Sequence, residues 1–314
     1  MRARYGGPAM SDPAVIATGL RKSYGDREAV AGVDLEVRTG ELLAFLGPNG
    51  AGKTTTVEIL EGYRSRSAGE VSVLGIDPAR ATRAWRARIG IVLQSSKPNG
   101  FLTVRETVSE WAGFYPAPRP VDETIERVGL TETAGQRVGK LSGGQQRRLD
   151  VALALVGDPE LLFLDEPTTG FDPSARRQAW GLIAALRELG KTVLLTTHYM
   201  DEAQELADRV AIIRAGRIVA EGAPGELGGR DARSVIRFRL PPGVVAAGLP
   251  IPVSERDGVA LAAFERPLEP LHALTAWALE HGHDLGDLEV ERPTLEDVYL
   301  ELTESQDADT EALE

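Results

Sequence analysis

Short apolar runs recur along the chain from Val15 onward and are separated by turns and amphipathic stretches. The runs with the length and composition of buried strands are Ala29–Val37, Glu41–Leu46, Val71–Leu74, Ile89–Leu93, Leu161–Leu164, Thr192–Thr196 and Val210–Ile213. A glycine-rich turn opens a helix at about Gly52, and helical patterns lie between the later strands. Strands that alternate with helices indicate a largely parallel sheet that is covered on both faces. The pattern therefore predicts an α/β fold.

The pattern changes to a mostly helical one after the strand that ends at Leu93. Turn-forming residues interrupt this helical stretch at 98–100 and again at 116–120. We interpret residues 95–155, approximately, as a helical subdomain that is inserted into the α/β core. Core and insert together predict one domain over residues 14–225.

A small second unit is predicted after Glu221, where the glycine- and proline-rich run 222–230 has the composition of a linker. The elements predicted beyond it are a strand at Val235–Leu240, a helix at Pro267–His281, a strand at Leu288–Val290 and a final helix from Thr294. They indicate a small α/β appendage over residues 226–303. The last residues, 304–314, are acidic and contain no aromatic residue, which predicts a disordered tail.

Composition limits the classes of protein to which the chain can belong. Of its 314 residues, 42% are hydrophobic and 26% are charged, as in ordinary globular domains. The sequence has no apolar run of about 18 residues and no apolar segment at its start, so it predicts neither a membrane span nor a secretory signal. Met1 and Met10 are both candidates for the start. Cysteine is absent, and the net charge of −12 argues against a nucleic-acid partner.

Residues 47–54 read Gly-Pro-Asn-Gly-Ala-Gly-Lys-Thr and lie between a predicted strand and a predicted helix. This matches the G-x-x-x-x-G-K-[ST] pattern in the context that the pattern requires. Glycines let backbone N–H groups close around phosphates, and the helix N terminus adds a positive dipole end. Lys53 is predicted to reach the terminal phosphates, and Thr54 to offer a hydroxyl to Mg²⁺. The alternative is a glycine turn that only links the strand to the helix.

Two acidic residues end the apolar strand Leu161–Leu164. A buried strand delivers such carboxylates to the C-terminal edge of the sheet, where ligands of open α/β folds bind. Asp165 suits the coordination of Mg²⁺, and Glu166 suits the polarisation of an attacking water. Two acids in isolation also fit a helix cap or a solvated turn. The phosphate-binding loop elsewhere in the chain favours the catalytic interpretation.

A second candidate anion site lies at Leu141–Gln145, where a serine and two glycines precede a helical pattern. Gln94 follows one strand and His198 follows another. In motif order, and over roughly residues 14–225, this set resembles the nucleotide-binding domain of ABC ATPases. The resemblance implies a P-loop NTPase core with an inserted helical subdomain.

The resemblance carries specific roles onto matching residues, with ATP and Mg²⁺ as cofactors. It implies nucleotide binding by Tyr24, Gly47, Pro48, Asn49, Gly50, Ala51, Gly52, Lys53, Thr54, Thr55, Ser142, Gly143, Gly144, Gln145 and Asp172. It implies catalytic roles for Lys53, Gln94, Glu166 and His198, and Mg²⁺ ligation by Thr54, Gln94 and Asp165. Tyr24 matches the aromatic residue that stacks on adenine, although a strand-edge aromatic is the plain alternative. Phe171, in the D-loop 169–172, stands where leucine is commoner in the family.

The resemblance also implies partners. In this family the signature helix of a subunit does not face its own phosphate-binding loop, so two copies meet head to tail. Each ATP is then held between residues 47–54 of one chain and 142–145 of the other. An integral membrane permease subunit is the second partner, which places the chain peripherally on the cytoplasmic face of the cell membrane. The aromatic residues predicted to help form its docking groove are Phe101, Trp111, Phe114 and Tyr115, and a place in the core is the alternative for two or three of them.

Three kinds of ABC protein fit an ATPase of this type: an exporter subunit, an importer subunit and a soluble ATPase without a transport role. The ending Pro293–Thr303 and the segment 94–106 are similar to the daunorubicin-resistance type of exporter ATPases, which act on drugs, lipids or polysaccharide precursors. Sugar-importer ATPases carry a longer regulatory domain than the residues after Glu221 can hold. A soluble ATPase would show tandem cassettes, a long coiled coil or a basic face. The sequence therefore favours an exporter, while the ending also fits an amphipathic helix that packs on the cassette or on a dimer mate.

Overall fold

The structure is a computed structural model that describes residues 13–93, 98–227, 234–256 and 258–291. Contacts between residues divide the chain into two compact units, residues 1–223 and 224–314. The predicted helix from Thr294 and the predicted tail at 304–314 lie outside the described residues. Within the described part of the chain, no helix is both long enough and apolar enough to span a bilayer.

The first unit contains two sheets and the helices that cover them. Its strands are β1 (Val15–Tyr24), β2 (Arg27–Val37), β3 (Leu42–Leu46), β4 (Ala68–Val73), β5 (Ile89–Val92), β6 (Leu161–Asp165), β7 (Thr192–Thr197), β8 (Arg209–Arg214) and β9 (Arg217–Gly222). Its helices are α1 (Lys53–Leu60), α2 (Arg83–Arg86), α3 (Val104–Ala112), α4 (Val121–Arg127), α5 (Gly143–Leu155), α6 (Pro173–Glu188) and α7 (Met200–Leu206). The stretch predicted to be helical after Leu93 holds α3, α4 and α5.

The larger sheet has the strand order β5-β6-β7-β3-β8-β9. All neighbours pair in parallel except β8 and β9, which form an antiparallel hairpin at one edge. The register pairs Leu46 with Thr197 and Asp165 with Thr196, so β3, β6 and β7 end at one level. Because the strands are parallel, the segments that follow them meet at the same edge of the sheet. The predicted parallel sheet is confirmed for these strands.

The parallel prediction is wrong for the strands near the N terminus. β1 pairs in antiparallel fashion with both β2 and β4, which gives a separate sheet of order β2-β1-β4. The alternating burial of β2 is that of a strand with one covered face, whereas all five residues of β3 are buried. A sheet with one solvated face is normally antiparallel, and strands buried on both faces are typical of parallel sheets.

Two hydrophobic clusters explain why the central strands are apolar on both faces. Leu43 and Phe45 of β3 pack in a cluster with the antiparallel sheet and α1. Leu42 points to the opposite face and packs with the residues of α3, α5 and α6. Successive side chains of a strand face opposite sides of a sheet. The central sheet is therefore fixed between two layers, and the loops at its edge are held in place by a packed core.

The second unit is a small α/β structure. Its elements are α8 (Pro224–Leu227), β10 (Ser234–Arg239), β11 (Ser254–Arg256), β12 (Val259–Phe264), α9 (Leu268–His281) and β13 (Gly286–Glu291). The sheet has the order β11-β12-β10-β13, and its strands pair in antiparallel fashion. Ile236, Phe238 and Leu274 are fully buried between the sheet and α9. The predicted linker includes the single-turn helix α8, because proline favours the first turn of a helix.

Candidate functional site

The predicted phosphate-binding loop joins the end of β3 to the start of α1. A Cβ atom on Gly47 would lie 2.4 Å from the carbonyl oxygen of Ile213, and one on Gly52 would lie 2.5 Å from that of Ala29. Gly52 also has a φ of +108°, in the region that favours glycine. Packing therefore requires glycine at both positions, and at Gly52 the backbone conformation requires it as well.

The N terminus of α1 opens onto a cleft of about 500 Å³. Gly52 occupies the N-cap position and offers no side-chain hydrogen bond to the first turn, so the backbone N–H groups of that turn have no side-chain cap. Such groups favour an anionic ligand. The predicted site residues that line this cleft are Tyr24, Asn49, Gly50, Gly52, Lys53, Thr54, Thr55 and Glu166. Pro48 and Ala51 belong to the same loop, where the Ala51 N–H donates to the Pro48 carbonyl.

The Lys53 side chain is 5% exposed and bends over the phosphate-binding loop. Its Nζ donates to the carbonyl oxygens of Gly47 at 2.7 Å and Pro48 at 3.2 Å. Burial lowers the pKa of Lys53, and the nearby Glu166 carboxylate partly opposes that effect. A buried cation next to backbone N–H groups makes this end of the cleft complementary to phosphate.

Tyr24 lies at the end of β1 and is 42% exposed at the other end of the cleft. Two cations lie near its ring: Nζ of Lys22 is 5.1 Å and the guanidinium carbon of Arg64 is 5.4 Å from the ring centroid. Arg27 and Arg64 also line the cleft, and the motif analysis did not find them. They stand outside the phosphate-binding loop in sequence, and only the fold brings them beside it.

Asp165 and Glu166 end β6 and begin the turn that follows it. The Thr196 hydroxyl donates to Asp165 Oδ1 at 2.5 Å, and the Glu166 N–H donates to Thr196 Oγ1 at 3.0 Å. Thr196 thus fixes both acidic residues, although the sequence analysis gave it no role beyond its strand. Alternation along β7 could have indicated that its side chain faces a neighbouring strand end.

The Glu166 carboxylate is the point where several predicted residues meet. Its Oε1 lies 3.6 Å from Lys53 Nζ and 3.4 Å from His198 Nδ1. The hydroxyl of Thr169 donates to Oε2 at 3.1 Å. The Glu166 side chain is 13% exposed, so these charges interact with little intervening water. The structure therefore brings Lys53, Glu166 and His198 together.

The predicted signature segment is not part of this cluster. Ser142 is the N-cap residue of α5, where its hydroxyl accepts from the Gln145 N–H at 3.3 Å and its N–H donates to the Gln145 side chain at 2.9 Å. A Cβ atom on Gly143 or Gly144 would have no heavy atom within 4 Å. Residues 142–145 do not line the cleft described above. Within the described part of one chain, the two candidate anion sites are separate.

Asp172 and Gln94 are the remaining predicted site residues. The Asp172 carboxylate accepts from the N–H groups of Ser174 and Ala175, both at 2.9 Å, and so caps α6 instead of lining the cleft. Aspartate is a preferred N-cap residue, and Asp172 makes these capping hydrogen bonds within its own chain. Gln94 lies outside the described residues. Leu93, which precedes it, is 50% exposed at the end of β5.

A groove of about 340 Å³ lies between the core and the helical segment. Of the aromatic residues predicted there, Trp111 and Tyr115 line the groove, whereas Phe114 packs edge-on against Trp111 at 5.9 Å between ring centroids. Phe101 is 83% exposed and does not line it. Glu61 also lines the groove, and burial raises its pKa to about 8.

The fold and the Lys53–Glu166 cluster at one edge of a parallel sheet define a P-loop nucleotide-binding protein. The ABC transporter family model matches residues 30–169, and a model for the C-terminal domain of ABC transporter domain-containing proteins matches residues 234–294. The daunorubicin resistance ATP-binding protein DrrA3 of Streptomyces coeruleorubidus is 39% identical over 94% of this chain and 97% of its own length. The Nod factor export ATP-binding protein I of Paraburkholderia xenovorans (strain LB400) is 39% identical over 94% of this chain and 98% of its own.

A solved structure of the ATP-binding cassette MJ0796, a dimer in a post-hydrolysis state with ADP and Pi, has a TM-score of 0.59 and 27% identity. The match spans 67% of this chain and 98% of the MJ0796 cassette. The chain belongs to the ABC transporter family as an ATP-binding subunit, and it is an ATPase. The prediction of the ATPase subunit of an ABC exporter is confirmed. Subunits of this family work with membrane components and dimerise.

Proposed function

We propose that this chain hydrolyses ATP to drive export of a drug, lipid or polysaccharide-type substrate through a separate permease at the cytoplasmic face of the cell membrane. The observation that carries the proposal is the meeting of Lys53, Glu166 and His198 at the edge of the phosphate-binding cleft. The similarity to a daunorubicin resistance protein and a Nod factor export protein supports the substrate class.

The cleft suits ATP from end to end. The adenine ring would stack on the exposed face of Tyr24, where aromatic stacking is compatible with any base. The phosphates would lie on the backbone N–H groups of residues 47–55, with the Lys53 cation on the terminal phosphates. Arg27 and Arg64 line the same cleft and add positive charge to it. Nucleotide affinity would therefore depend on loop geometry and cations together.

A magnesium ion fits the oxygen donors at the edge of the sheet. Mg²⁺ is commonly held by one or two protein oxygens together with phosphate oxygens and water. Thr54 lines the cleft with an exposed side chain, and Asp165 ends β6, which is separated from β3 by β7 in the sheet. We assign Thr54, Asp165 and Gln94 as the residues that would hold the ion. When bound, it would neutralise charge on the phosphates.

Glu166 is the residue that we expect to orient the attacking water. Its carboxylate lies beside the buried ammonium group of Lys53, so a water held by Oε1 or Oε2 would stand close to the terminal phosphate. His198 would hold the γ-phosphate or the carboxylate from the other side, and Gln94 would complete the site. The catalytic contribution is positioning and charge stabilisation, because phosphoryl transfer needs no protein nucleophile.

Two copies are needed for a complete site in this proposal. Ser142–Gln145 do not line the cleft of their own chain, and Gly143 and Gly144 have open space over their Cα atoms. A second copy arranged head to tail would place its α5 N terminus against the γ-phosphate. In this arrangement Asp172 would lie at the dimer interface, where it would contribute to the nucleotide site while it caps α6. The dimeric state of the similar cassette MJ0796 supports this arrangement.

The permease would dock in the groove that contains Trp111 and Tyr115. Exposed apolar side chains rimmed by polar residues mark interaction surfaces.

We further propose that residues 14–225, with the helical subdomain at about 95–155, form the ATP-binding domain. Residues 226–303 would then form an accessory domain, followed by the acidic tail 304–314.

Docking can be tested with membranes from cells that also produce a candidate permease of an ABC exporter. We expect the chain to bind these membranes and not membranes without the permease, and Trp111→Ala to weaken binding while ATP affinity stays unchanged. Leu182→Ala serves as the control, because Leu182 is half-buried in a different cavity. Equal binding to both kinds of membrane would contradict the proposed partnership.

A further inference from the structure

Glu166 has a backbone conformation that its residue type rarely adopts. Its φ is +43°, in the left-handed region where the Cβ atom of a non-glycine residue is crowded. Such a conformation persists only when the surrounding structure holds it in place. The contacts around this turn therefore bear on where the carboxylate points.

Three hydrogen bonds hold the backbone of Glu166 itself. Its N–H donates to the carbonyl oxygen of Thr196 at 3.1 Å and to the Thr196 hydroxyl at 3.0 Å. Its carbonyl oxygen accepts from the Thr169 N–H at 3.3 Å. These hydrogen bonds hold the peptide groups of Glu166 against β7 and the following turn. They do not involve the carbonyl groups of Asp165 and Pro167, the residues on either side of Glu166.

The buried side chain of Arg147 binds both of those flanking carbonyl groups. Its Nε donates to Pro167 O at 2.8 Å, and one terminal nitrogen donates to Asp165 O at 3.3 Å. The other terminal nitrogen donates to Leu93 O at 2.5 Å and lies 3.5 Å from Asp150 Oδ2. Arg147 is 8% exposed, and it extends from α5, the helix that Ser142 caps.

We propose that Arg147 is a positioning residue for hydrolysis, which holds the strained turn around Glu166 and joins it to the signature helix and to the end of β5. The proposal rests on the function proposed above for Glu166 as the residue that orients water. A guanidinium group has five N–H donors in a planar fork, so it can bind three carbonyl groups from two segments at once. A lysine ammonium on a flexible stem cannot reproduce that fork.

The side chain of Arg147 links the groove assigned to the permease with the turn around Glu166. Leu93 and Asp150 line the groove assigned to the permease, and Asp165 and Pro167 flank Glu166. A shift of α5 or of the end of β5 would therefore reach the catalytic turn through rigid hydrogen bonds. Arg147 does not line the nucleotide cleft, so its role is separable from ATP binding.

The test is the steady-state ATPase of the purified full-length chain with Arg147→Met and Arg147→Lys. We expect kcat to fall about 10²-fold in both variants, as for misplaced catalytic groups, while the dissociation constant for ATP stays within about twofold of the parent value. The matched control is Arg148→Met, because Arg148 is the next residue of α5 and bonds the carbonyl oxygens of Val128 and Gly129 instead. Its kcat should equal that of the parent.

A double-variant cycle with Glu166→Gln separates positioning from general stability. If Arg147 acts through Glu166, adding Arg147→Lys to Glu166→Gln should not lower the residual kcat further. Independent, multiplicative losses would overturn the proposal, as would parent-like kcat in Arg147→Lys or equal losses of ATP affinity and kcat. Normal turnover in Glu166→Gln alone would instead refute the role proposed for Glu166.

Discussion

Nζ of Lys53 lies 3.6 Å from Oε1 of Glu166, and the two side chains are 5% and 13% exposed. One residue starts a helix after β3 and the other follows β6, so the contact depends on the parallel order of the strands. A charge pair with so little solvent interacts more strongly than a surface pair. The cation that would bind phosphate and the carboxylate that would orient water are therefore held against each other before any ligand enters.

Lys53→Ala should abolish ATP turnover and weaken nucleotide binding. The substitution removes the ammonium group aimed at the terminal phosphates, and loss of one such electrostatic group lowers kcat by about 10²–10³-fold. Phosphate release and nucleotide affinity would be measured on the purified chain. Lys191→Ala is the control, because Lys191 pairs with Asp158 away from the cleft. Parent-like turnover in Lys53→Ala would contradict the assignment of the phosphate-binding loop.

Glu166→Gln should bind ATP, close the dimer and fail to hydrolyse. The amide keeps the shape of the carboxylate but loses its charge, so water is no longer oriented while the phosphate contacts remain. Size-exclusion chromatography with Mg-ATP should show an ATP-dependent dimer.

Adding Ser142→Arg to that variant should prevent dimer formation. The arginine would occupy the space that the γ-phosphate bound to the other chain requires, while each chain's own loop still binds ATP. Equilibrium binding of a fluorescent ATP analogue confirms that the loops remain functional. A double variant that still dimerises when ATP is added contradicts the shared catalytic site.

Gly47→Ala should destabilise the chain and remove nucleotide binding. The added Cβ atom would lie 2.4 Å from Ile213 O and 2.9 Å from Ile213 Cγ2, so the loop or β8 must move. Overpacking of this kind costs about 1–3 kcal/mol. Gly181→Ala in α6 is the matched control, because its Cβ atom meets nothing within 4 Å. Alanine there should stabilise the helix by about 0.5–1 kcal/mol, and urea unfolding distinguishes the two outcomes.

Glu61→Gln should reduce the fall in the free energy of unfolding that the parent chain shows as pH rises. Burial raises the pKa of Glu61 from 4.5 to about 8, so between these values the folded chain retains a proton that the unfolded chain has released. The free energy of unfolding therefore falls as pH rises through this window, by up to about 1.4 kcal/mol per pH unit. Below pH 4.5 the effect is absent, and above pH 8 it is complete.

Urea unfolding of the parent and of Glu61→Gln from pH 5 to pH 8.5 measures the difference. We expect the variant to gain stability relative to the parent across the window. Glu58→Gln is the control, because Glu58 lies in the last turns of α1, just before Glu61, and pairs with Arg64. A parent and a Glu61→Gln variant with identical pH dependence would show that the Glu61 carboxyl is not held in its protonated form.

Much of the fold and of the candidate site follows from local sequence. Glycine spacing around Lys53, an apolar strand that ends in Asp165 and Glu166, and a serine before two glycines are each patterns within a few residues. Their structures depend on backbone freedom, on strand ends and on helix caps, which are local properties. The helix start at Leu141–Gln145 and the central parallel strands were predicted for that reason.

Only the tertiary structure decided which distant groups share a contact. Arg147 lies on the buried side of α5, three residues before Asp150 and four before Val151. Helical spacing of this kind indicates that a side chain is buried, but it does not show which residues the side chain contacts. The antiparallel pairing of β1 depends on which strand covers which face, and a run of apolar residues does not specify it. The left-handed turn at Glu166 is likewise tied to distant residues: the Glu166 N–H donates to the Thr196 hydroxyl, and Arg147 donates to the Pro167 carbonyl. The sequence by itself determined which chemical groups the chain carries and where the local motifs lie. Long-range packing determined which of those groups meet, because contacts between residues far apart along the chain form only when the whole core closes.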